Sequence, residues 1–99
     1  MGSDYKIYWT DEAINNLESI LDYLKDKWTQ REIDHFKKKL GRQIELIESN
    51  PRLFPLSEYN NRLRKAVLSK QTTIYYELSG QVIYLVYLFN SRQSIEKIK

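Results

Sequence analysis

The sequence predicts an α+β fold: a single domain with a helical hairpin packed on a small, mostly antiparallel four-stranded sheet, in the order β-α-α-β-β-β. Three observations lead there. Residues 10–50 carry two apolar stripes at three- and four-residue spacing, the period of a helix with one buried side. Residues 72–78 and 82–89 are runs of Thr, Ile, Val, Tyr and Phe on either side of Ser79-Gly80-Gln81, strand chemistry around a tight turn. A chain of 99 residues with 41% hydrophobic content is large enough for one core and too small for two.

Residues 5–9 alternate and form a first strand with Tyr5, Ile7 and Trp9 on one face. Thr10 is an N-cap, and Asp11 and Glu12 put anions at the positive end of the helix dipole. The first stripe is Ala13, Ile14, Leu17, Ile20, Leu21, Leu24 and Trp28. Thr29-Gln30-Arg31-Glu32 matches a capping box, so a second helix starts almost where the first ends. Its stripe is Ile33, Phe36, Leu40, Ile44 and Ile47. Gly41 interrupts that helix at about 1 kcal/mol relative to alanine and is expected to mark close packing between the helices. Asn50-Pro51 ends it, because a residue before proline avoids the helical region. The loop 51–61 is expected to be pinned to the core by Leu53, Phe54 and Leu56. Residues 63–68 form a short strand, Ser69-Lys70-Gln71 a turn, and the hairpin follows. The run 82–89 has almost no polar position, so its strand is expected to be central with both faces covered. A short terminal helix over 93–99 is expected, with Ser94 as N-cap and Ile95 and Ile98 inward.

Composition removes several function classes. There is no cysteine, hence no disulfide, no thiolate chemistry and no cysteine-ligated metal, in keeping with a cytoplasmic protein. His35 has no second imidazole to share a metal or a triad and reads as an ordinary helix residue. No apolar run approaches the roughly 20 residues of a membrane span, no signal-peptide pattern opens the chain, and Met1-Gly2-Ser3 reads as a tag remnant or short tail. Lys6 stands where N-myristoylation wants Ser or Thr. Phosphate-binding glycine loops, zinc-protease helices and a serine–histidine–acid set are absent from the sequence, so no cofactor and no metal are expected.

What remains is cations and aromatics. The net charge of +3 is uneven: three bases face six acids through residue 28, and 13 bases face seven acids beyond it. A basic second half points to an anionic partner, nucleic acid or an acidic protein segment. Arg62, Arg64, Lys65, Lys70 and Arg92 fall in the sheet half, with Tyr75, Tyr76, Tyr84 and Tyr87 between them. Alternation puts Arg64 and Lys65 on opposite faces; Arg64 is expected on the open face, near Arg92. Two converging guanidiniums suit a phosphate, and tyrosines suit stacked bases. The plainer reading makes the tyrosines core and the arginines scattered surface charge. Lys37-Lys38-Lys39 and Arg42 cannot share one helix face and read as a solvated side.

Four blocks, WTDEAINNLESILDYL, NPRLFPLSE, LRKAVLSKQTTIYYEL and IYLVYLFNSRQSIEKI, together resemble the RelE/ParE toxin superfamily of bacterial type II toxin–antitoxin systems, plasmid stabilisation proteins among them. The resemblance implies a cognate antitoxin that wraps the toxin with a segment folding on binding, added to helices and sheet edge. It also implies one of two growth-inhibiting actions, the further alternative being a non-toxic binding module that keeps the fold and the antitoxin partner. ParE-like members poison DNA gyrase and cleave nothing; RelE-like members cut mRNA in the ribosomal A site, with a cationic clamp and a proton-transfer group. Arg64 matches the family's basic position on the second strand, and Arg92 the arginine after the last one. RelE-like nucleases carry a Tyr or His in the terminal segment and a lysine-rich loop before the second strand. Here 93–99 has neither aromatic, and 55–61 has Glu58 and no lysine, which favours the ParE-like action. Under the nuclease reading, Tyr87 and Lys97 are the proton-transfer candidates.

Overall fold

The structure, a computed structural model, describes residues 4–91. Its elements run β1 (Lys6–Trp9), α1 (Asp11–Lys27), α2 (Gln30–Ser49), β2 (Arg64–Val67), β3 (Thr72–Ser79) and β4 (Val82–Asn90), the expected order. The sheet is mixed, β1-β4-β3-β2, with β1 parallel to β4 and the other pairs antiparallel. The terminal helix expected over 93–99 lies outside the described residues.

The helix boundaries follow from their caps. Thr10 Oγ1 accepts the Ala13 N–H and donates to the Leu85 carbonyl at 2.7 Å, so one hydroxyl starts α1 and ties it to β4. Thr29 and Glu32 close both halves of the capping box at the start of α2. Both helices lie on one face of the sheet, where Ile20, Leu24, Phe36, Leu40 and Ile47 pack with Ile74, Tyr76, Ile83 and Leu85. Gly41 does not mark close packing: a Cβ built there meets nothing within 4 Å.

The hairpin turns on Gly80, whose φ of 60° is the left-handed conformation a glycine adopts without strain. Beyond it the pairing breaks step. Tyr76 sits opposite Leu85 while Tyr75 sits opposite Tyr87, so Val86 is an extra residue, a bulge on β4. The bulge leans on α1: Asn16 Oδ1 accepts the Leu88 N–H at 3.1 Å. Its effect is to reset the alternation. Ile83, Leu85, Leu88 and Asn90 are buried under the helices, whereas Val82, Tyr84, Tyr87 and Phe89 share the opposite face. β4 is central, as expected, but only one of its faces is packed under a described element; Tyr87 is 38% exposed.

The two sheet borders differ. On β2 the Lys65 N–H donates to the Pro55 carbonyl, the Leu63 carbonyl accepts from Ser57, and the Val67 carbonyl accepts from Gln43 of α2. The chain itself therefore covers that border. On β1, Lys6 N–H points to β4, so alternation turns the backbone groups of Ile7 outward, where no described strand pairs with them. In the loop 51–61, Phe54 packs on the core as expected, but the Leu53 and Leu56 side chains are 56% and 50% exposed and do not enter it. The loop is held by polar contacts instead.

Candidate functional site

The strand register decides where each expected residue points. Arg64 is opposite Tyr76 and Ala66 opposite Ile74, both pairs on the helix side of the sheet; Lys65 is opposite Tyr75 and Val67 opposite Thr73, on the other side. Arg64 is therefore not the cation of the open face. Its Nη1 donates to the Phe54 carbonyl at 2.6 Å, and Leu56 bridges to its backbone, so the guanidinium clasps the loop. Beside it Tyr76 is fully buried, with its hydroxyl donating to the Pro51 carbonyl at 2.6 Å. Burial pushes the Tyr76 phenol up to about 12, against a smaller opposing pull from Arg64, which keeps it a neutral donor. Arg64 and Tyr76 thus anchor the two ends of one loop segment.

The open face is built on a grid of side chains. One row across the strands reads Lys65, Tyr75, Tyr87; the next reads Glu77, Tyr84, Tyr8. Tyr75 and Tyr87 meet edge to face with centroids 6.5 Å apart, and Tyr8 and Tyr84 do the same at 5.5 Å. Burial, with the neighbouring Tyr59 phenol as a lesser cause, raises the Tyr75 pKa as well. Glu77 is met by Arg62 at 3.6 Å. Tyr75, Tyr84 and Tyr87 belong to this surface, and Tyr76 alone of the four expected tyrosines is core. Arg92 and Lys97 lie outside the described residues.

Sequence reasoning missed Lys65 as the open-face cation. The signal was present: Arg64, Ala66 and Leu68 share one parity, and Ala66 and Leu68 are the small and apolar residues that a helix-covered face selects. Among the described residues no group of three His, Asp or Glu side chains converges as a metal site, and no helix is long and apolar enough to cross a membrane.

This fold is shared with chains solved from toxin–antitoxin systems. The chromosomal ParDE system of P. aeruginosa contains a chain similar to this one with a TM-score of 0.74 at 15% identity, over 87% of this chain and 95% of that one. YafQ in the E. coli DinJ-YafQ complex is similar with a TM-score of 0.63 at 12% identity, over 90% and 94%. No curated protein sequence matches. A family model described as the ParE toxin of type II toxin-antitoxin system, parDE, matches residues 7–95, so the chain belongs to the ParE toxin family.

Proposed function

We propose that the chain is a growth-inhibiting toxin, held by a cognate antitoxin in the cytoplasm, that acts on DNA gyrase without itself cutting nucleic acid. The match to the ParE family across residues 7–95 carries this reading. The arrangement of the open face supports it. Among the described residues, the single carboxylate on those strands, Glu77, is engaged with Arg62, and His35 belongs to α2, so the open face offers no carboxylate–histidine pair for phosphoryl chemistry. The similar chains are named as members of ParDE and DinJ-YafQ pairs, which supports an antitoxin partner for this one. Neither cofactor nor metal enters the proposal.

The test is a gyrase supercoiling and DNA-cleavage assay with the purified chain. Loss of supercoiling or accumulation of broken DNA is expected, and gyrase untouched by a molar excess of toxin refutes the target. Arg92 is the proposed target-facing cation, so Arg92→Ala abolishes growth inhibition; a folded variant that stays fully toxic removes that assignment. A second reading, ribosome-dependent mRNA cleavage, is favoured by one observation: Tyr87 and Lys65 share a row of the open face. Primer extension showing cuts only when ribosomes are present would establish it, with Tyr87 and Lys97 the groups to substitute first.

A further inference from the structure

We infer that the open face of the sheet is a binding surface for single-stranded DNA, with unstacked bases lying on its tyrosines and phosphates meeting its cations. The inference deepens the gyrase reading and rests on it, since the unpaired ends of a staggered double-strand break are where unstacked DNA meets a gyrase inhibitor.

Three observations support the surface. The first is ring geometry. Interplanar angles of 84° for Tyr75 and Tyr87 and 68° for Tyr8 and Tyr84 are edge-to-face arrangements, in which one ring of each pair keeps its π-face clear of its partner. Tyr84 and Tyr87 lie in adjacent rows, opposite Glu77 and Tyr75, which are two residues apart on β3, roughly 7 Å, or about two base steps at 3.4 Å each. The second is charge. Lys65 ends the Tyr75–Tyr87 row and Lys6, opposite Val82, shares the open face with Tyr8, while the one carboxylate of the grid, Glu77, is neutralised by Arg62. Cations beside exposed aromatic rings are the pattern that tracks a phosphate backbone while bases stack. The third is polarity. An apolar protein surface docked here would desolvate the phenol hydroxyls of four tyrosines, whereas a nucleic-acid strand leaves them wet. Single-stranded nucleic acid fits all three.

The experiment is fluorescence anisotropy of fluorescein-labelled dT12 titrated with the full chain. Saturable binding that weakens with salt is expected. Tyr84→Ala and Tyr87→Ala each weaken it by at least about fivefold, the loss of one stacked base, while Tyr84→Phe binds like the unaltered chain because stacking needs the ring and not the hydroxyl. Lys65→Gln lowers the slope of log K against log salt by about 0.7, one phosphate contact on a single strand. No saturable binding, tighter binding to a 12-base-pair duplex, or alanine variants that bind normally with unchanged circular dichroism overturns the inference. Tighter binding to rU12 overturns the choice of DNA and moves the surface to mRNA. Gyrase inhibition without dT12 binding sinks this inference alone; dT12 binding with gyrase untouched keeps the surface and removes the target.

Discussion

Tyr76 gives a prediction whose sign changes with pH. In Tyr76→Phe the ring stays and the hydroxyl goes, leaving the Pro51 carbonyl without its 2.6 Å donor in a buried setting. Losing one partner of a buried hydrogen bond costs about 1–2 kcal/mol, so at pH 7 the variant is less stable by that amount. Alkali acts through this position on the unaltered chain alone. The phenol titrates at about 12 in the folded chain and near 10 in the unfolded one, so the unfolded state releases its proton first. The stabilisation is complete below pH 10 and is lost as pH rises towards 12. At about 1.4 kcal/mol per pH unit over that window, the unaltered chain gives up roughly 1.4 kcal/mol by pH 11 and about 2 kcal/mol by pH 12. Phenylalanine cannot ionise, so it escapes this loss. The two stabilities therefore converge near pH 11 and then cross. Urea unfolding followed by tryptophan fluorescence, at matched pH values from 7 to 11.5, reads the difference directly, and the other titrating groups cancel between the two proteins. A difference that stays constant with pH, or no difference at pH 7, refutes the reasoning.

Other substitutions separate the remaining contributions. Gly41→Ala fills open space on α2 and raises stability by about 1 kcal/mol, a Tm increase of about 4–8 °C by calorimetry. Thr10→Ala removes both the α1 cap and the bond to the Leu85 carbonyl, lowering stability by about 1–2 kcal/mol in the same measurement. Arg64→Met keeps the stem and frees the Phe54 carbonyl; chymotryptic cleavage within 51–61 is expected to speed up about tenfold, and an unchanged rate removes the clasp assigned to Arg64.

Most of the fold was legible because its signals are local. Thr10, the 29–32 capping box, Asn50-Pro51 and Gly80 each fix an element boundary through chemistry within a few residues, and the structure places them as expected. What escaped depends on contacts between distant segments. The apolar continuity of 82–89 looks like a strand covered on both sides. In the structure it hides an alternation reset at Val86, and only the pairing of β4 with β3, beside Asn16 of α1, reveals the extra residue. The face of Arg64 was misassigned for a related reason: the parity signal of Ala66 and Leu68 competes with apolar Leu63 and Val67 on the other parity, and a choice wrong by one residue exchanges the two faces. Gly41 illustrates the limit on single residues. A glycine in a helix is equally readable as a close contact or as empty space, and only its neighbours in three dimensions choose. At the candidate site, the division of the tyrosines and cations between core and surface followed from the register, which no local pattern states.

The unequal borders of the sheet give the molecule a valence. Hydrogen-bonded strand addition propagates into a fibre only when each unit offers two acceptor borders, so that joining one leaves another exposed. Among the described residues, the β2 border is occupied by the Pro55–Ser57 backbone and the Gln43 side chain, and the β1 border carries no further strand. Two such units joined β1 to β1 leave no described border unpaired, so strand addition of that kind ends at its first step.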